Sequence, residues 1–107
     1  MKIEFSHLNS KPLAIPDFER LDAAVAADLK SRCIEAAAGS NAMVIDLTSV
    51  RMIDSSGLGA LVALLKQLGP SGILCLVGLQ PGVRLVLEIS RLDTIFKIYD
   101  TRDQVPA

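Results

Sequence analysis

The chain reads as an α/β fold: one domain, residues 1–107, with a mixed, mostly parallel sheet of four to five strands and helices packed on it. Three observations predict this. Two short, nearly continuous apolar runs, 43–47 and 73–77, carry the signature of strands covered on both faces of a parallel sheet. A helical pattern lies between them, so strand, helix and strand follow in the order of a right-handed crossover unit. Alternating apolar residues at the start of the chain add an antiparallel pair.

The elements follow in chain order. Ile3 and Phe5 alternate with polar partners, as do Leu13 and Ile15, and Asn9-Ser10-Lys11-Pro12 between them reads as a turn. Pro16 has no backbone donor, which predicts that the second strand is an edge or is interrupted there. From Asp22 to about residue 38 the period becomes helical: Ala26, Leu29, Cys33 and Ala37 share one face, and Asp28, Ser31, Arg32 and Glu35 share the other. Asp22 stands at the N-cap position and Gly39 at the stop. The helix between the two apolar runs spans 56 to about 68 and closes at Gly69-Pro70. Its wheel places Leu58, Leu61, Val62, Leu65 and Leu68 on the sheet, with Leu64 at the edge of that face. Gly59, Ala60, Ala63, Lys66 and Gln67 lie opposite, with Ser56 near Ala63. A third helix starts at Pro81, in the favoured first-turn position, and runs to about residue 90. Ile95, Phe96 and Ile98 suggest a last short strand, and the tail from Asp100 is polar.

Composition narrows the function. Eleven basic groups face 12 acidic ones, a net charge of -1, which supplies no basic footprint for nucleic acid. Aromatic residues make up 4% of the chain and Trp is absent, so base-stacking platforms are disfavoured. Hydrophobic residues reach 50%, yet the longest apolar stretch, 57–65, ends at Lys66, short of the ~18–20 residues that span a bilayer. The first residues, Met-Lys-Ile-Glu, lack the apolar segment of a signal peptide. The expectation is a cytoplasmic protein without membrane insertion, whose surplus apolar surface lies on the small, flat outer side of the second helix. Cys33 and Cys75 sit in apolar company and read as reduced core packers; with one His7, read as a solvent-facing residue at a strand end, they make no common zinc site. No serine lies in G-x-S-x-G. Neither a catalytic residue, a metal nor a cofactor is expected.

The informative segment is Asp54-Ser55-Ser56-Gly57-Leu58-Gly59, between the first buried strand and the crossover helix. Loops at the carboxyl ends of such strands are where α/β sheets place function. Backbone amides at a helix start favour negative charge, so this loop suits binding a phosphate or carrying one on its own serine. Binding is the weaker idea, because no lysine follows these glycines as a phosphate-binding loop requires. Ser55 or Ser56 as a plain helix cap is the alternative. The outer side of the helix is small and flat where solvent-facing helices carry long charged residues, which lets another protein approach closely; alanine as a plain helix former is the alternative there.

The stretches Val44-Ile45-Asp46-Leu47-Thr48-Ser49-Val50 and Met52-Ile53-Asp54-Ser55-Ser56-Gly57-Leu58-Gly59-Ala60-Leu61-Val62 resemble the signature of STAS domains, closest to anti-sigma factor antagonists. Arg20-Leu21-Asp22-Ala23-Ala24 is similar to the family's second signature, and Gly78-Leu79-Gln80-Pro81-Gly82-Val83 and Leu92-Asp93-Thr94-Ile95-Phe96 resemble its later segments. The resemblance implies that Ser56, directly before the first glycine, is phosphorylated by an anti-sigma factor that is also a serine kinase. It implies that a metal-dependent serine phosphatase reverses this, and that the unphosphorylated form binds the anti-sigma factor and frees a sigma factor. Asp54, Ser55, Gly57 and Gly59 would form the loop around the phosphosite; Asp22, Ala60, Ala63 and Gln67 would meet the partner. Glu19 replaces the glycine usual before the second signature, Pro16 interrupts the strand before it, and the C-terminal helix is short. Two other classes stay open: a non-switching STAS adaptor in a lipid-transport ATPase assembly or stressosome, and a small nucleotide hydrolase using Asp22 and Asp54.

Overall fold

The computed structural model describes residues 2–107. Strands β1 (Lys2–Leu8) and β2 (Lys11–Asp17) form an antiparallel hairpin closed by the Leu8–Lys11 pair. Its turn is two residues, Asn9 and Ser10, both left-handed (φ 51° and 67°), as a turn matching the strand twist requires. β2 is not the edge that Pro16 suggested. It lies between β1 and β4 (Ala42–Asp46), in the sheet order β1-β2-β4-β6-β7, with β6 spanning Ile73–Val77 and β7 Lys97–Tyr99. The ladder explains how a proline is accommodated. Bonded and non-bonded pairs alternate outward from the hairpin turn, so Pro12 and Pro16 occupy non-bonded pairs with β1 and direct their missing donors toward β4. Parallel pairing with β4 involves only Leu13 and Ala14, so the prolines bracket it without removing a bond.

The β4, β6 and β7 ladders are parallel, which makes the sheet mixed as expected. A separate two-stranded parallel pair, β3 (Arg20–Leu21) and β5 (Met52–Ile53), was not legible in the sequence. Helices α1 (Ala26–Ala36), α2 (Ser55–Gln67) and α3 (Pro81–Ile89) contribute to one core, where Leu29, Cys33 and Leu61 are buried with Ile45, Leu74 and Leu76 of the sheet. A second cluster, Leu13, Val44, Cys75 and Val77, is closed by Val105 of the tail read only as polar. The tail is fastened there: Arg102 Nε donates to Asp46 Oδ2 (2.8 Å), Asn9 Nδ2 to the Val105 carbonyl (3.1 Å) and Lys11 Nζ to the Pro106 carbonyl (2.7 Å). The apolar runs are thus covered on both sides, but one cover is a strap.

Two helix expectations need correction. α1 begins at Ala26, because the Asp22 carboxylate accepts from Ala24 N (3.0 Å) and its carbonyl from Val25 and Ala26, which makes a turn before the helix. In α2 the buried arc is rotated from the predicted one: Gly57, Ala60, Leu61 and Leu64 are buried, while Leu58, Val62 and Leu65 are half-buried. Ala60, expected on the outer side, is only 8% exposed, since α1 lies beside α2 and widens the covered face. The most exposed large apolar side chains are Ile89 (74%), Leu85 and Met52 (both 54%), on α3 and β5 and not on the outer side of α2. No helix among the described residues is long and apolar enough to cross a membrane.

Candidate functional site

The short β3–β5 pair builds the site. Leu21 is in register with Ile53, so the next residues, Asp22 and Asp54, emerge side by side from the ends of two parallel strands. Asp54 N donates to the Leu21 carbonyl (3.3 Å), which ties the loop to β3. Asp54 is extended (φ -111°, ψ -173°), and its Oδ1 accepts from Gly57 N (3.0 Å) while its carbonyl accepts from Leu58 N (2.9 Å). It is therefore the N-cap of α2, in the arrangement that satisfies an otherwise unpaired first-turn donor. Neither Ser55 nor Ser56 is the cap. Both are exposed, and neither hydroxyl makes a hydrogen bond among the described residues.

The two glycines differ in role. A Cβ on Gly57 would overlap the Leu21 carbonyl oxygen and come within 2.8 Å of Ile53 Cγ1, so only glycine lets α2 seat this closely on β3. Around Gly59 a Cβ would meet nothing within 4 Å, so that position is open surface. Gly59, Ser56 and Ala60 form one side of a shallow cleft of about 280 Å³, and Ala23, Ala26, Ala27 and Lys30 form the other. Asp22 and Asp54 line a separate groove with Arg20 and Met52. Ala63, half-buried, and Gln67, exposed, lie farther along α2 and do not line the cleft. The predicted loop is thus brought together with Asp22 and Ala60, while Ala63 and Gln67 extend the same helix away from it. Lys30 escaped the sequence reading, because only the α1–α2 packing places it across from Ser56.

The chemistry available here is limited. Asp22 and Asp54 are each engaged by a backbone N–H, and no group of His, Cys, Asp or Glu that would hold a metal occurs among the described residues. His7 is exposed on β1. Cys33 and Cys75 are buried free thiols; burial pushes Cys33 up to about 12, against a small opposing effect of Arg32, and raises Cys75 as well. Behind the site Asp46, 7% exposed, supports the fold: Oδ1 accepts from Thr48 N (2.9 Å) and its hydroxyl, Oδ2 from Arg102. Burial pushes its carboxyl up, but the bonds from Thr48 and the Arg102 guanidinium prevail and hold it below the usual carboxylate range. What the loop offers is an exposed hydroxyl on a capped first turn, beside a shallow cleft lined mostly by alanine and glycine.

Known proteins are similar to this chain in sequence and in fold. A Thermotoga maritima protein named as a candidate anti-sigma factor antagonist is 42% identical over 64 residues, 59% of this chain; the match spans 57% of that relative's length. A crystal structure of a Thermotoga maritima protein of the same description superposes with a TM-score of 0.84 at 31% identity, over 92% of this chain and 86% of that one. The Bacillus cell fate determinant SpoIIAA, solved in its phosphorylated form, shares the fold alone, with a TM-score of 0.70 at 16% identity over 95% of each chain. The STAS domain profile matches residues 12–105, from β2 through the strap that closes the sheet, and on that match this chain belongs to the STAS domain family.

Proposed function

We propose that this chain is an anti-sigma factor antagonist whose association is switched by phosphorylation of Ser56. One observation carries the reading: Asp54 caps α2, which leaves the Ser56 hydroxyl uncommitted and exposed at the mouth of the α1–α2 cleft. Phosphorylation adds about -1.5 to -2 charge at neutral pH. At the start of α2 that charge faces unpaired backbone donors, so the fold tolerates it. Against a docked partner the same charge must be desolvated. A cost of ~3 kcal/mol weakens binding about a hundredfold. In this reading the partner is an anti-sigma factor with serine kinase activity, held by the surface around Asp22, Gly59, Ala63 and Gln67. Ala60 acts from beneath that surface by keeping α1 close. A metal-dependent serine phosphatase restores the binding form, in the cytoplasm, and the chain itself is a binding module and not an enzyme.

The test is a binding titration against the cognate anti-sigma factor, with phosphate-affinity gels reporting modification. Ser56→Ala binds constitutively and shows no shifted band, whereas Ser56→Asp stays folded and binds about a hundredfold more weakly. Equal affinity of the Asp variant and the wild type overturns the switch and favours the non-switching adaptor.

A further inference from the structure

We propose that Lys30 is a positioning residue that holds a phosphate carried by Ser56 inside the cleft between α1 and α2; this rests on the reading of Ser56 as the acceptor. Lys30 and Ser56 line the same cleft from opposite helices, and the remaining lining is alanine and glycine, so Lys30 is the one charged side chain that faces it. Lys30 is half-buried and makes no ion pair among the described residues. Its neighbours three and four positions away on α1 are Ala26, Ala27, Cys33 and Ile34, none of them acidic. The nearby carboxylates are engaged elsewhere: Asp28 pairs with Arg32 (3.6 Å), and Asp22 and Asp54 accept from Ala24 and Gly57. Lys66, the one cation on α2, lies in its last turn.

A phosphate dianion on Ser56 therefore meets an asymmetric field. Asp22 and Asp54, which line the separate groove, repel it from one side. Lys30 attracts it from the other, into a space with no competing anion. A lysine ammonium suits this task, because its four-carbon stem lets three donors follow the phosphate as a point charge. The resulting bond links α1 to α2 and keeps the modification over the face that a partner would occupy. It also favours the dianion over the monoanion, since a nearby cation lowers the second ionisation of the phosphate.

The experiment installs phosphoserine at position 56 during translation, without any kinase, and titrates it by phosphorus NMR. In the otherwise wild-type protein the second ionisation lies about half a pH unit below that in Lys30→Ala, the full effect of a buried pair being reduced by solvent. Lys30→Arg restores the lower value, and Lys30→Gln, which keeps most of the stem, behaves as Ala does. Circular dichroism of the unmodified variants checks that all are folded. Identical titrations in wild type and Lys30→Ala overturn the proposal while leaving Ser56 as the switch. Conversely, a normal Lys30 effect in a protein never phosphorylated in its own cell overturns the switch and leaves the cleft assignment standing.

Discussion

Replacing Gly57 and Gly59 separately by alanine should change stability in opposite directions, although both lie in the first turns of α2 and are two residues apart. In a helix interior, alanine is favoured over glycine by about 1 kcal/mol. Gly59 receives that gain undiminished, because nothing lies within 4 Å of its would-be Cβ. A rise of ~0.5–1 kcal/mol in a chain of this length raises Tm by roughly 2–4 °C. Gly57 cannot realise it. Its Cβ would overlap the Leu21 carbonyl oxygen and approach both Ile53 Cγ1 and Leu21 Cγ to 2.8 Å. The carbonyl cannot swing aside, because it accepts from Asp54 N and belongs to a strand in register with β5. Overpacking costs about 1–3 kcal/mol, and a clash with fixed backbone lies at the upper end, ~2–3 kcal/mol, which leaves a net loss of ~1–2 kcal/mol after the propensity gain. The expected outcome is a Tm lower by roughly 4–8 °C. Thermal and urea unfolding followed by circular dichroism measure both variants. If Gly57→Ala stabilises the protein as Gly59→Ala does, then α2 is not seated on β3. The placement of Ser56 at the cleft would then fail with it.

Two further outcomes test the scaffold behind the site. The Asp46 carboxyl is held below its unfolded value, so its contribution is present above the ordinary carboxylate range and disappears as pH falls through the lowered value. Asp46→Asn should cost ~1–3 kcal/mol near neutral pH and lose less Tm than wild type as pH falls from about 5 through the lowered value. Equal acid sensitivity would locate the labile group elsewhere. Val105→Ala removes a side chain that is 3% exposed from the cluster closed by the tail, and should cost ~1–2 kcal/mol, or roughly 4–8 °C, in a melting experiment. A neutral result would mean that the strap does not seal the sheet.

Most of the fold was legible because its signals are local. The runs 43–47 and 73–77 became β4 and β6 within a residue, and the alternation around Ile3 and Leu13 became the hairpin. The first helix ends at Ala36 with its C-cap at Ala37, short of Gly39, which closes the following turn with a left-handed φ of 83°, and Pro81 does open α3. The loop before α2 stood out through its small residues, and the family match agrees with the resemblance those residues carried. The errors share a cause. Pro16 was read without the neighbouring strands that decide which donor is needed. The wheel of α2 assumed a single packing surface, whereas α1 supplies a second and buries Ala60.

What the sequence determined by itself was the order and period of the elements, the near-balance of charge with few aromatic residues, and the segment on which to look for function. Each is a property of neighbouring residues or of simple counting. The tertiary structure alone decided that Asp22 stands beside Asp54, that Asp54 and not a serine caps α2, that Gly57 is sterically required while Gly59 is open, and that Lys30 faces Ser56. Apart from the local Asp54 cap, those facts depend on contacts between residues about 30 positions apart, through strands of two residues and a pair of helices. Such contacts leave no period in the chain, because a two-residue strand is shorter than one full alternation and a helix records only that it has a neighbour, not which one.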